Sequence, residues 1–149
     1  MASAQEYAAL ARNVSLFKGL DAHEVAKIVA HGKTMRAPKG NVIFYEGTIG
    51  SQMFVVLGGK VGLYQKDTLL ASLTVGDMFG EMALISSEPR SATASAIEDS
   101  HIFCLDETTF QRLMTKRVAI QILFNVVGTL SRRLRDANKK LRALKEAAE

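Results

Sequence analysis

Glycine cuts the middle of this chain into short apolar runs, and that punctuation constrains the fold more than any other feature. Met53-Phe54-Val55-Val56-Leu57 is followed by Gly58-Gly59 and then by Lys60-Val61-Gly62-Leu63-Tyr64. Each run has the length of a strand, and a two-residue glycine link predicts a hairpin between them. Leu69, Ala71, Leu73 and Val75 alternate with other residues, and Ala92, Ala94 and Ala96 alternate with Thr93 and Ser95. That is the period of a strand with one buried face. His101 to Leu105 is a final β-rich run. Many short strands separated by glycine turns over residues 33–105 predict a sandwich or barrel.

Helical patterns flank this region, so the expected class is mainly β with flanking helices. Ala8, Leu10, Ala11, Val14 and Phe17 recur at helical spacing, and residues 4 to about 31 read as helical. Asp21 with Glu24 forms a capping-box-like start ahead of Val25, Ile28 and Val29. Asp106 is the expected N-cap of a helical stretch through Met114, and a long helix is expected from about Val118 to the end. Leu123, Val127, Leu130, Leu134, Ala137, Leu141 and Leu144 follow one another at alternating steps of four and three, a heptad seam. A parallel helix from a second copy is the partner such a seam predicts, giving a homodimer. Packing of the seam on the chain's own barrel is the alternative. The expected organisation is a domain over residues 1–117 and a long dimerisation helix or lid over residues 118–149.

Composition excludes several classes. A length of 149 residues leaves room for one domain. The single cysteine, Cys104, rules out an internal disulfide framework and any zinc site of several cysteines. It lies in an apolar run and reads as a buried small residue. His23, His31 and His101 show no ligand spacing, so no metal is expected. The net charge of +4 sits wholly in residues 130–149, which hold 7 basic and 3 acidic side chains, because residues 1–129 hold 12 of each. That basic segment has no aromatic residue on which a base could stack, so a solvated helix face is the favoured reading. No apolar run reaches the ~18 residues of a membrane span. The N-terminus lacks the basic and apolar regions of a signal peptide, which predicts a cytoplasmic location. Gly32-Lys33-Thr34 resembles the end of a triphosphate loop, but Lys27 stands where its first glycine belongs. No serine or cysteine has the context of a nucleophile, and an enzyme is not expected.

One segment carries chemistry: Gly76-Asp77-Met78-Phe79-Gly80-Glu81-Met82-Ala83-Leu84-Ile85, then Ser86-Ser87-Glu88-Pro89-Arg90-Ser91-Ala92-Thr93. Two glycines four residues apart allow a tight turn and close backbone approach. A short helical turn beginning beside Gly80 would point free amides at an anion. Arg90 brings a permanent charge and a planar fork suited to phosphate oxygens, and Ser91 adds a hydroxyl. Glu81 would repel a phosphate but accepts hydrogen bonds from a sugar hydroxyl. Together these groups predict a pocket for a small phosphorylated sugar.

The run Phe79-Gly80-Glu81-Met82-Ala83-Leu84 with Pro89-Arg90-Ser91-Ala92-Thr93 closely resembles the phosphate-binding cassette of cyclic nucleotide-binding domains, as found in catabolite activators, protein kinase regulatory subunits and nucleotide-gated channels. Leu16-Phe17-Lys18-Gly19-Leu20, Gly40 to Gly47 and Met53 to Val61 match earlier parts of the same pattern. The resemblance implies a β-roll of about eight strands. It implies a cyclic nucleotide as ligand, cAMP favoured over cGMP. Arg90 would pair with a phosphate oxygen and Glu81 would accept from the ribose 2′-hydroxyl. The amides of Met82, Ala83 and Ala92 and the Ser91 hydroxyl would complete the cradle, with Thr93 counted among the binding residues. Gly80 would let the ribose approach, and Leu84 would couple the cassette to the helices. Val61 and Leu73 are candidates for the apolar wall beside the base. In catabolite activators an Arg-Arg-Leu run precedes a threonine–serine pair that contacts adenine. The matching Arg132-Arg133-Leu134 here places Ala137 and Asn138 at those positions, and of these only Asn138 can hydrogen-bond a base.

Three functions follow: a regulatory sensor that transmits nucleotide binding to its C-terminal helices, the sensor half of a transcription regulator, or a nucleotide-free dimerisation module. A helix-turn-helix would have to follow the long helix, and the sequence ends at Glu149, so specific DNA binding is not expected of this chain.

Overall fold

Two capping boxes start the fold. The computed structural model describes residues 3–84, 86–113 and 116–148. Helix α1, Ala4–Asn13, is capped by Ser3 with Glu6, and helix α2, Ala22–His31, by Asp21 with Glu24. Glu24 N donates to Asp21 Oδ1 at 2.8 Å while Asp21 N donates back to Glu24 Oε1 at 3.1 Å, as the sequence predicts. The helical region expected over residues 4 to about 31 is two helices, the second starting at the expected Asp21 cap. Val14 is extended, and a 3-10 turn at Ser15–Phe17 buries Leu16 and Phe17 between them.

Eight strands follow among the described residues: β1 Lys33–Ala37, β2 Val42–Phe44, β3 Gln52–Gly58, β4 Val61–Gln65, β5 Thr68–Leu73, β6 Met78–Phe79, β7 Thr93–Ala96 and β8 Ser100–Asp106. They form two four-stranded antiparallel sheets, ordered β1-β8-β3-β6 and β2-β7-β4-β5, so the β-roll is open rather than a closed barrel.

The hairpin predicted across Gly58-Gly59 does not form. β3 pairs with β6 and β8, while β4 pairs with β5 and β7 in the other sheet. The glycines carry the chain between sheets. Gly59 sits at φ +85°, and a Cβ there would stand 2.5 Å from Ser100 Oγ. Ser100 fastens the crossover: its hydroxyl accepts from Lys60 N at 3.1 Å. The hairpin lies one strand later, between β4 and β5, where Lys66 takes φ 53°. In β5 the alternation buries Leu73 but leaves Leu69 exposed, and Val75 lies beyond the strand end and is exposed.

Continuous burial along Met53–Val56 has a structural cause. Phe54 and Val56 face the space between the sheets, with Val61, Leu73, Phe79, Ala94, Ala96, Ile102 and Cys104. Met53 and Val55 face the helical layer, with Phe17, Val25, Ile28, Phe103 and Leu105. A strand covered on both faces has no polar side, so its alternation vanishes.

Helix α3, Glu107–Leu113, follows β8, and Asp106 Oδ1 accepts from Thr108 N at 2.7 Å in the expected capping role. Its expected last residue, Met114, lies outside the described residues. Helix α4, Lys116–Ala147, begins two residues ahead of expectation and packs Val118, Ile122 and Val126 into the helical-layer core. Asn125, which interrupts the apolar run in the sequence, donates from Nδ2 to Leu16 O and Lys18 O, both at 2.8 Å, and pins α4 to the 3-10 turn. The heptad seam points elsewhere. Leu123, Val127, Leu134, Ala137, Leu141 and Leu144 are exposed, and only Leu130 is half-buried. Among the described residues only Leu130 of the seam packs on the chain's own core, and the other six positions do not follow the alternative of packing on its own barrel. Among the described residues, no helix is long and apolar enough to cross a membrane.

Candidate functional site

The cassette is built where the two sheets meet α4. β6 pairs with β3 through Phe79 and Phe54, then the chain turns at Gly80 with φ +70°. A Cβ on Gly80 would lie 2.7 Å from Arg90 Nη1, so glycine permits both the turn and the approach of the arginine. A single 3-10 turn, Glu81–Leu84, follows. Within it Ala83 N donates to Gly80 O at 3.2 Å, and Ser86 N then donates to Met82 O at 2.8 Å. The Ala83 amide expected to face the phosphate is therefore already engaged.

Arg90 is held from both sides. Its backbone N donates to Thr48 O at 2.8 Å and its O accepts from Gly47 N at 2.8 Å, so the β2–β3 loop fixes its position. Its side chain donates from Nη1 to Gly80 O at 3.1 Å and from Nη2 to Gln52 O at 2.7 Å. The guanidinium carbon lies 4.3 Å from the centre of the Phe44 ring. Such cation–π contacts contribute roughly 0.5–2 kcal/mol, more when desolvated. Burial lowers the Arg90 pKa from its ordinary value, and the charge of Glu81 opposes that shift. The group remains a cation at any physiological pH. Arg90 Nε is buried without a partner, and so is Ser86 Oγ; among the described residues these are the two such side-chain atoms.

Glu81 is buried, at 5% exposure, and its partner comes from α4. Arg133 Nη1 donates to Glu81 Oε1 at 2.6 Å, and Nη2 donates to Met78 O. Oε2 of Glu81 remains for another donor. Glu81 is thus bonded to Arg133, and its charge also acts on Arg90.

These groups line a cavity of about 480 Å³, within the range of small-molecule sites. Gly80, Glu81, Met82, Ala83, Arg90, Ser91 and Ala92 all border it. Thr93 stands behind, where its Oγ1 accepts from Glu46 N at 2.9 Å. Leu84 is buried in the helical-layer core cluster that also holds Val118, Ile122 and Val126 of α4. The candidate base contacts fall elsewhere. Val61 and Leu73 pair across β4 and β5 and are sealed in the core between the sheets. Asn138 is exposed on α4 and does not border the cavity. The apolar wall is made instead by Phe44, Leu63, Phe79 and Leu130. Leu63 lies two residues beyond Val61 on the same strand face, so period-two reasoning finds the face but not the depth. Gln52, Phe44 and Arg133 are not assigned to the site from the sequence, because each meets the cassette only through tertiary packing.

Residues 34–117 match the family model described as the cyclic nucleotide-binding domain. The chain belongs to this family. It is 34% identical over 131 residues to the cyclic AMP receptor protein of Thermus thermophilus, covering 85% of this chain and 60% of that protein. It is 32% identical over 140 residues to a cAMP-dependent protein kinase regulatory subunit of Candida albicans, covering 93% of this chain and 28% of that one. The chain therefore spans less than two thirds of the length of these relatives. Among solved structures it superposes on the Thermus thermophilus catabolite activator protein with a TM-score of 0.77 at 34% identity, covering 88% of this chain and 63% of that one. A cyclic nucleotide-binding domain of a protein kinase regulatory subunit, solved with Sp-2Cl-cAMPS bound, superposes with a TM-score of 0.71 at 27% identity, over 95% of this chain and 90% of that one.

Proposed function

We propose that this domain is a sensor that binds a cyclic nucleotide, cAMP ahead of cGMP, and passes the binding event to its C-terminal helix. The observation that carries this reading is the location of unmet hydrogen-bonding capacity. Arg90 Nε is buried and unpartnered, and Arg90 borders the cavity; Ser86 Oγ, the other such atom among the described residues, lies in the same cassette. A buried donor without an acceptor costs about 1–3 kcal/mol, and an incoming phosphate oxygen relieves that cost.

The chemistry divides by charge. Arg90 takes the cyclic phosphate. Glu81, oriented through Oε1 by Arg133, offers Oε2 to the ribose 2′-hydroxyl. Met82, Ser91 and Ala92 complete the cradle beside them, and Phe44, Leu63, Phe79 and Leu130 cover the apolar purine. Leu130 and Arg133 belong to α4, so the ligand touches the cassette and the long helix together. A ligand whose affinity differs between two positions of that helix shifts the equilibrium between them. The preference for cAMP is supported by relatives named for cAMP.

The exposed seam on α4 supports a homodimer. The coverage of 60% of the Thermus thermophilus receptor favours a second reading, in which this is the sensor half of a longer regulator. Calorimetric titration of nucleotide-stripped protein with cAMP and then cGMP tests the proposal. Saturable heat with cAMP, weaker with cGMP and lost in Arg90→Ala, is expected. Absence of heat and of thermal shift with both nucleotides sinks the sensor reading and leaves a nucleotide-free dimerisation module.

A further inference from the structure

We infer that Phe44 is a positioning residue for Arg90, holding the guanidinium against its ring face so that the remaining donors meet the ligand phosphate; this rests on the cyclic nucleotide reading of the cavity.

Arg90 is a long side chain whose rotamer freedom must be removed before it can bind an anion well. Ion pairing does not remove it here, since Arg90 forms no ion pair among the described residues. Two carbonyl oxygens, Gly80 O and Gln52 O, fix its Nη1 and Nη2 edges. Those bonds lie along the guanidinium plane and leave its two faces open. Phe44 closes one face at 4.3 Å. The ring is itself supported: its centre is 5.7 Å from that of Phe54 and 6.0 Å from that of Phe79, and those two stack at 5.1 Å. Phe54 also lies 5.8 Å from the Arg90 guanidinium carbon. Phe54 and Phe79 are buried in the core between the sheets, so β2, β3 and β6 each bring one ring to a single rigid platform under the cation. An aliphatic residue at position 44 would fill similar space without the negative ring face that attracts the guanidinium.

The test compares Phe44→Leu with Phe44→Tyr by cAMP titration, together with the nitrogen-15 and proton resonances of the Arg90 side-chain N–H, assigned through Arg90→Lys. Phe44→Leu is expected to weaken cAMP about tenfold, equivalent to about 1.4 kcal/mol. Phe44→Tyr, which keeps the ring, is expected to restore binding. In the wild type without ligand the Arg90 N–H resonance is expected upfield of the other arginines through the ring current, an effect lost in Phe44→Leu and kept in Phe44→Tyr. A purely structural role for Phe44 would not track that resonance. Wild-type affinity in Phe44→Leu, a loss in Phe44→Tyr as large as in Phe44→Leu, or an unshifted wild-type resonance each overturns the role of Phe44. The resonance is read on the wild type and so decides the matter even where Phe44→Leu fails to fold. A wild type that binds neither nucleotide overturns the ligand reading, and with it the phosphate role, while the resonance still reports whether the ring holds Arg90.

Discussion

Arg133 of the long helix and Glu81 of the cassette form a buried ion pair, Nη1 to Oε1 at 2.6 Å. They are 52 residues apart in sequence. The pair gives the buried carboxylate a bonded cation and makes the last turn of α4 that touches the roll part of the site. Beyond Arg133 every described residue of the helix is exposed.

Removing Arg133 leaves Glu81 charged in a dry place. Arg133→Ala is expected to destabilise the protein by about 1–3 kcal/mol. That is below the figure for a fully buried pair, since the Arg133 side chain is 35% exposed and water can partly replace it. Urea denaturation of Arg133→Ala, Glu81→Gln and the double variant would show a non-additive coupling of at least ~0.5 kcal/mol. Additive losses would mean that the pair is not formed in solution.

Removing Arg90 strips the phosphate of its charged partner. Hydrogen bonds to charged groups contribute roughly 1.5–3 kcal/mol each, so Arg90→Ala is expected to weaken cAMP by about 100-fold or more. Arg90→Lys keeps the charge but not the fork and should fall between the two. Calorimetry at one salt concentration measures all three.

Cys104 carries a pH signature. Burial pushes its thiol from 9.0 up to about 11, against a smaller opposing effect of Lys33. The folded state keeps a proton that the unfolded chain releases above pH 9.0, so the stability this contributes is present below that pH and is lost as pH rises toward 11. The stability of the wild type relative to Cys104→Ala is expected to fall across that window in denaturant titrations. At pH 8 the native thiol should resist iodoacetamide, which the unfolded chain consumes, because the thiolate is the nucleophile.

The heptad seam predicts a solution state. Leu134 and Leu141 are 62% and 64% exposed in the single chain, so Leu134→Asp with Leu141→Asp should leave its melting as a monomer nearly unchanged. In a parallel dimer the same carboxylates would be buried against each other. Sedimentation velocity is expected to give a dimer for the wild type and a monomer for the double variant. Equal masses would remove the seam as an interface.

Much of the site was legible because its residues are contiguous. Gly80, Glu81 and Arg90 lie within eleven positions, and each is read from its own chemistry: a residue that permits close approach, a carboxylate, a planar cation. The apolar wall was misplaced to Val61 and Leu73 because alternation names a face and says nothing about how far along the roll the cavity opens. The Gly58-Gly59 hairpin failed for a related reason. Short strands joined by glycines are equally compatible with pairing and with crossing between sheets, and the choice depends on Ser100, forty residues on from Lys60.

The sequence by itself determined the elements and the chemistry: capped helices, glycine-separated strands, a phosphate-type cassette and an amphipathic seam. These are encoded locally, in backbone preference, periodicity and side-chain charge, which act over a few residues. Only the tertiary structure decided which strands share a sheet, which cation neutralises Glu81, and that three phenylalanine rings from different strands meet beneath Arg90. Those relations join residues distant in the chain, and they are set by how two cores pack on opposite faces of β3 and β8.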